Sequence, residues 1–594
     1  MDSKLTDEVG SKTKALANAR HLLRNGQYQE AAEQAHEVIE GDEDCAEAHR
    51  LLGMALRQLG DIEGARLAES QAIELSLLHP DIFQATMALA DGRLDRAEKL
   101  LRPHLKEYPD DAAALRLLAE VGARTGHLDA ADSFARKALQ VAPDYVRARE
   151  LLEKVSAARQ DAASGESRAS VILPTGEAQY AEALEVYEKV VAKFPDAPEN
   201  WTSYGHVLRT VGSQDEAVAA YRRAIELRPD SGAAWWALAD LKTRPLRDED
   251  IAQLEKVLEG DIPDENNRSS IHFALGRALE QAGRFDRSFE QYAEANRLKS
   301  ATSGHDRAAV SRHVDASLQL FDVGFFESRR GAGFDGNDPI FILGMPRAGS
   351  TLIEQILSCH RDVEGTMELG DLPAIARWLG DGRHAGFEDS NYLARLAALP
   401  PVELGKLGQG YLWGTRLRRQ SDKPFFTDKM PNNWLHIGMI LTILPNAKII
   451  DARRHPLACG LSLFRQNFAR GQDFSYDLAD IGSLYADYVR MMEHFDRIMP
   501  GRIIRVIHED LVADSEGEIQ KLLDRLELPF DERCLNFHES RRAVRTSSSE
   551  QVRRPINREG VDQWRAFEPW LGPLKRVLGS IADEYPAVPH DLVR

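Results

Sequence analysis

Small residues recur through roughly the first 300 residues at a spacing that suits closely packed helix pairs. One copy carries Trp201, Tyr204, Gly205, Leu208, Gly212, Ala217, Tyr221, Ala224 and Pro229. Others run Ala119, Gly126, Ala131, Ala135, Ala138 and Pro143; Gly53, Gly60, Ala65 and Ala72; and Gly276, Gly283, Tyr292 and Ala295. In each copy a glycine follows the first small residue by seven positions, and a further small residue comes five later. Small side chains let two helices approach, the glycine takes the turn between them, and the proline marks the exit. Such a unit cannot bury its own apolar face, so successive units must stack.

The unit, of about 34 residues, resembles the tetratricopeptide repeat, which implies an all-α superhelix whose groove binds a protein. Weaker copies lie at Ala19–Gly26–Ala31 and Gly92–Ala97–Pro109, with a partial one at Ala183–Tyr187–Pro195, for about six to eight units in all. Residues 160–176, with Pro174 and Gly176, interrupt the pattern as a break or hinge. The expected organisation is repeats over 1–159 and 177–302, a connecting segment over 303–335, and a second kind of domain over 336–594. The repeat groove is expected to take an acceptor or partner protein.

A chain of 594 residues is too long for one core, so more than one domain is required. The formal net charge of −19 argues against nucleic acid as a partner. Cys45, Cys359, Cys459 and Cys534 are widely spaced, which suits neither a disulfide framework nor a zinc site. No apolar run approaches the ~20 residues needed to span a bilayer, and the polar start MDSKLTDEVG reads as neither signal peptide nor anchor. A cytoplasmic protein with no membrane span is the expectation.

Beyond about residue 335 short apolar runs alternate with helical stretches. Strands are expected at Pro339–Gly344, Ala447–Ala452 and Arg502–Ile507, with helices at Thr351–Ser358, Pro456–Phe468 and Ser515–Leu526. Strands separated by helices imply an α/β domain with a parallel sheet, which binds ligands beyond the carboxyl ends of its strands. Between the first strand and its helix lies Gly344-Met-Pro-Arg-Ala-Gly-Ser-Thr351. Outward-pointing N–H groups at such a helix start form an anion site. The spacing is that of a P-loop, but Ser350 stands where that loop carries lysine. Triphosphate chemistry is thereby disfavoured, and Arg347 brings the charge to a different place.

The stretch from Pro346 to Leu352 resembles the 5′-phosphosulfate loop of sulfotransferases, which use 3′-phosphoadenosine 5′-phosphosulfate. Within that superfamily, residues 338–570 are most similar to tyrosylprotein sulfotransferases and to bacterial proteins that fuse tetratricopeptide repeats to such a domain. The resemblance implies a P-loop-like sulfotransferase fold and a donor site made by Arg347, Ala348, Gly349, Ser350 and Thr351. It implies a 3′-phosphate site at Arg454 and Ser462, with Arg453 a rival for the first role. By the same resemblance Glu368 is the base for the acceptor hydroxyl, and Arg347 sits on the group in transit. Lys429 and Ser548 then assist the leaving phosphate, and His508 and Arg554 face the nucleotide. No metal is expected. The sequence departs from the family at Met367, Gln466, Gln563 and His508, the last standing where a tyrosine is expected near the adenine.

The acceptor stays open among tyrosine, glycan and small molecule, and Trp434, Phe387 and Trp378 are either cleft or core. Two alternatives stand beside the sulfotransferase: a P-loop kinase, for which Asp428 and Asp451 are the candidate Mg²⁺ ligands, and a non-enzymatic repeat scaffold with a nucleotide-binding domain.

Overall fold

The computed structural model describes residues 2–77, 79–90, 94–125, 127–164, 177–241, 246–380, 391–416, 419–468, 471–540, 542 and 551–587. The chain divides into two compact units, Met1–Lys193 with Arg416–Gln420, and Phe194–Thr415 with Ser421–Arg594. The first contains antiparallel helix pairs built on the small-residue ladder. In the pair Ala46–Leu59 and Ile62–Leu77, a Cβ added at Gly53 would lie 2.8 Å from Glu69 Cγ and 3.3 Å from the Ala65 carbonyl. Gly60, at φ +86°, ends the first helix in the left-handed region that favours glycine.

The second unit begins with further pairs of the same kind and continues into the α/β part. Helices Glu265–Gln281 and Phe285–Ala301 pack with Gly276 against the ring of Tyr292, which is fully buried. The segment after them forms two more helices, Arg307–Leu320 and Val323–Glu327. Phe321, between the two, fills the space a side chain at Gly438 would need, and it packs on Phe325, Phe326 and Phe495. His313 Nε2 donates to the Leu435 carbonyl at 3.0 Å, and His494 Nε2 to that of Phe321 at 2.6 Å. Phe273, Tyr292 and Ala295 of the repeats belong to the same apolar core as Phe341 and Leu343 of the sheet.

Five strands form one sheet: β1 (Pro339–Gly344), β2 (Val363–Gly365), β3 (Phe425–Asp428), β4 (Lys448–Arg453) and β5 (Ile503–Ile507). Their order is β2-β3-β1-β4-β5 and every pairing is parallel. Ile340 and Ile342 face one core, and Phe341 and Leu343 the other, so β1 is covered on both faces. The connections that leave the neighbouring strands β1 and β4 run in opposite directions, to β2 and to β5, which opens a crevice at their carboxyl ends. Strand positions agree with the periodicity to within a residue. The three-residue β2 was too short for a period-two signal, and the helix Pro456–Phe464 ends four residues before its expected limit.

Among the described residues no helix is long and apolar enough to cross a membrane. Phe321→Ala is expected to destabilise the second unit by about 3–5 kcal/mol, the cost of emptying a site this well filled. Urea unfolding followed by tryptophan fluorescence measures it.

Candidate active site

The loop after β1 turns through left-handed backbone three times, at Gly344 (φ +133°), Arg347 (φ +71°) and Gly349 (φ +103°). A Cβ at Gly344 would run into the Ala452 carbonyl of β4, and one at Gly349 would lie 2.9 Å from His508 Nδ1. For Arg347, which is not glycine, this conformation costs of order 1–3 kcal/mol and must be held by its surroundings. Arg454 Nη1 donates to the Arg347 carbonyl at 3.2 Å, and Cys459 Sγ to that of Pro346 at 3.3 Å.

The side chain of Arg347 leaves the loop and donates from Nε to Ser462 Oγ at 3.1 Å. Ser462 lies on the helix Pro456–Phe464 that follows β4. Two residues assigned to different phosphates of the donor thus meet at one place. Burial pushes the Arg347 guanidinium down to about 10; Asp240 opposes the shift, and the charges of Arg454 and Arg465 add to it. Burial also lowers Arg454, with Arg465 adding to it. Crowded arginines held at this cost favour an anion among them.

Geometry separates Arg453 from Arg454. Arg453 is 2% exposed and paired with Asp451 at 3.1 Å, with Tyr488 accepting from its Nε at 3.3 Å. Arg454 lines the cavity with Arg347, Gly349, Ser350, Thr351 and Ser462. Its Nη2 donates to the Gly560 carbonyl at 2.5 Å, and its buried Nε has no hydrogen-bond partner among the described residues. His508 also lines the cavity, and burial together with Arg454 lowers it to about 3, so the ring is neutral near pH 7. Ala348 is buried in the core and offers its backbone alone. Arg554 is an exposed residue of the cavity wall, 3.5 Å from Glu559 Oε1. Ser548 and Phe387 lie outside the described residues.

Lys429 follows β3 and Glu368 follows β2, at the same edge of the sheet as the loop after β1. The Lys429 N–H donates to the Met367 carbonyl at 3.0 Å, and Nζ lies 2.5 Å from Glu368 Oε1. The lysine side chain is 1% exposed and the glutamate 46%, so the pair has one buried and one solvent-facing end. Neither lines the cavity that holds Arg347. Trp434 is fully buried against Tyr488, hence core, whereas Trp378 is exposed. Asp451 is buried among Arg453, Arg505 and Tyr488, and Asp428 is buried and accepts from the Tyr411 hydroxyl at 2.7 Å. The two carboxylates a kinase would need for Mg²⁺ are thus engaged within the fold.

Three cavity residues, Trp236, Asp240 and Arg277, come from the repeat helices. No local sequence signal marks them, since they occupy ordinary positions of a repeat.

Residues 339–532 match the model of the sulfotransferase family. Residues 16–76, 84–163 and 198–241 match tetratricopeptide repeat models. The chain therefore carries both the repeats and a sulfotransferase domain. An uncharacterized protein of Aquifex aeolicus is 30% identical over 401 residues, 67% of this chain and 52% of that one. A protein-tyrosine sulfotransferase of Drosophila melanogaster is 25% identical over 264 residues, 42% of this chain and 51% of its own length. The chain thus spans about half the length of these two relatives. Among solved structures, the sulfotransferase domain from the Synechococcus PCC 7002 olefin synthase aligns at 25% identity. That alignment covers 43% of this chain and 97% of that one, with a TM-score of 0.33.

The two adjacent arginines of the sulfotransferase domain are expected to behave differently. Arg453→Ala should cost about 3–5 kcal/mol of stability by breaking a buried pair, while Arg454→Ala should change it by about 1 kcal/mol or less. Parallel denaturation curves check the contrast.

Proposed function

We propose that this protein transfers a sulfuryl group from 3′-phosphoadenosine 5′-phosphosulfate to an acceptor hydroxyl. The observation that carries the reading is the Arg347–Ser462 hydrogen bond beside Arg454, at the carboxyl edge of the sheet. It joins the loop after β1 to the helix after β4 in one cation-rich cavity, as a donor with phosphates on both the 5′ and 3′ sides requires. Ser350 and Thr351 offer hydroxyls and helix N-terminal N–H groups to the 5′ side. Arg454 and Ser462 serve the 3′-phosphate, and the neutral His508 ring and Arg554 serve the rest of the nucleotide.

In the transfer, Glu368 takes the acceptor proton as the acceptor oxygen bonds to sulfur. The bond from sulfur to the 5′-phosphate oxygen breaks, and the electron pair stays on that oxygen. Lys429 stabilises the charge that develops there, and Arg347 that on the sulfuryl oxygens. The products are a sulfate ester and adenosine 3′,5′-bisphosphate. Glu368 is paired with Lys429 before the acceptor arrives, and on this reading the acceptor hydroxyl takes over the lysine's place beside it. Ser548 is assigned to the leaving phosphate on the family pattern alone.

We assign the acceptor as a tyrosine of a protein, supported by the Drosophila relative and by repeats of a kind that bind proteins. The groove of Met1–Lys193 is the acceptor or partner surface on this reading.

Glu368→Gln is expected to lower kcat by about 10²–10⁴-fold while leaving adenosine 3′,5′-bisphosphate affinity unchanged. Turnover that persists in the variant would remove Glu368 from the role of base. Calorimetry should show tighter binding of the bisphosphate than of ATP, and the reverse order would sink the donor assignment. With a sulfur-labelled donor and cell lysate, label is expected on protein tyrosine. Label on glycan or metabolite would overturn the acceptor assignment but leave the chemistry.

A further inference from the structure

Part of the cavity wall belongs, by its sequence, to the repeats. Trp236 lies on the helix Gly232–Ala239, Asp240 caps that helix, and Arg277 projects from Glu265–Gln281. The repeat pattern asks for none of these charges; its packing positions here are Gly276 and Tyr292. Glu280, one turn beyond Arg277, is 10% exposed and lies 2.9 Å from Arg277 Nη1. It also accepts from the Tyr292 hydroxyl at 2.7 Å and pairs with Arg465.

Two guanidiniums therefore share one carboxylate, and the cluster keeps a net positive charge. Burial would raise Glu280, yet Arg465 and Arg277 together lower it, so the carboxylate stays ionised and anchors both. Arg465 comes three residues after Ser462, at the end of the same helix. A single carboxylate thus ties Arg277 to the turn that follows Ser462, and all three of Arg277, Arg465 and Ser462 line the cavity. Arg553, beside the cavity residues Val552 and Arg554, meets the repeats as well and donates to the Thr210 carbonyl at 3.3 Å. Asp240 answers the positive field, accepting from Arg209 at 2.8 Å and from Gln466 Nε2 at 3.4 Å.

We propose that Arg277 is a donor-binding residue supplied by the repeats, reaching the ribose phosphate of a nucleoside bisphosphate from the Ser462 side of the cavity, with Glu280 positioning it. The proposal rests on the donor reading above. It makes the repeats of the second unit a structural part of the nucleotide site, in addition to any surface they offer to proteins. A guanidinium fork aimed from a rigid helix suits a phosphate monoester, which takes two parallel hydrogen bonds.

The test uses the full chain and calorimetry with adenosine 3′,5′-bisphosphate and adenosine 5′-monophosphate. Arg277→Gln is expected to weaken the bisphosphate by about tenfold to a hundredfold and the monophosphate by less than about twofold. Arg277→Lys, which keeps the charge and loses the fork, should fall between wild type and Arg277→Gln, and it carries the test if the glutamine variant does not fold. Arg297→Gln, on the next helix and paired at the surface with Glu294, should change neither affinity. No loss, or equal loss for both nucleotides, overturns the role of Arg277. A wild-type protein that does not prefer the bisphosphate to the monophosphate would instead overturn the donor reading itself.

Discussion

Arginines crowded at the carboxyl edge of a parallel sheet are the constraint on which the site depends. Arg347, Arg454 and Arg465 are near enough for their charges to act on one another, and burial denies them water. Like charges in a poorly solvated cavity repel strongly, so each needs an anchor. The anchors come from several elements. The Ser462 hydroxyl and two loop carbonyls hold Arg347 and Arg454, and Glu280 holds Arg465 with Arg277. The site remains electropositive after these contacts, which is the condition for taking up an anion carrying several charges.

That constraint accounts for the way the second unit is assembled. Glu280 and Asp240 can serve only if the repeat helices are fixed against the sheet domain, and the shared core around Phe321 and Tyr292 fixes them. The same rigidity explains how Arg347 can be kept in a left-handed conformation that costs energy. Two hydrogen bonds to loop carbonyls and the closeness of β4 leave the loop no alternative. Strain and electrostatic repulsion are thus both stored at the mouth of the crevice, where a ligand would relieve part of them.

The strand–loop–helix was legible because its signals are local. A buried β-branched and aromatic run, a glycine at each end of the loop and the hydroxyls of Ser350 and Thr351 lie within a dozen consecutive residues. The repeat pairs were legible for a similar reason, since a glycine facing Tyr221 or Tyr292 leaves a fixed offset in the sequence. The choice of Arg454 over Arg453 came from likeness to the family, not from any local periodicity. Alternate residues of a strand point to opposite faces, and an error of one residue in the strand end exchanges core for cavity. Glu368 and Lys429 could be named by likeness, but their contact across 61 residues is a product of parallel register.

The sequence by itself determined that helix pairs would stack over its first half and that a parallel α/β domain with an anion-binding turn would follow. These outcomes depend on short-range periodicity and on backbone geometry at a few glycines. Only the tertiary structure decided where the functional boundary lies. Asp240, Arg277 and Glu280 read as ordinary repeat positions, and nothing near them in the chain marks them as neighbours of Ser462. Their role depends on distances between residues about 180 positions apart, which packing of the shared core sets and no local pattern encodes.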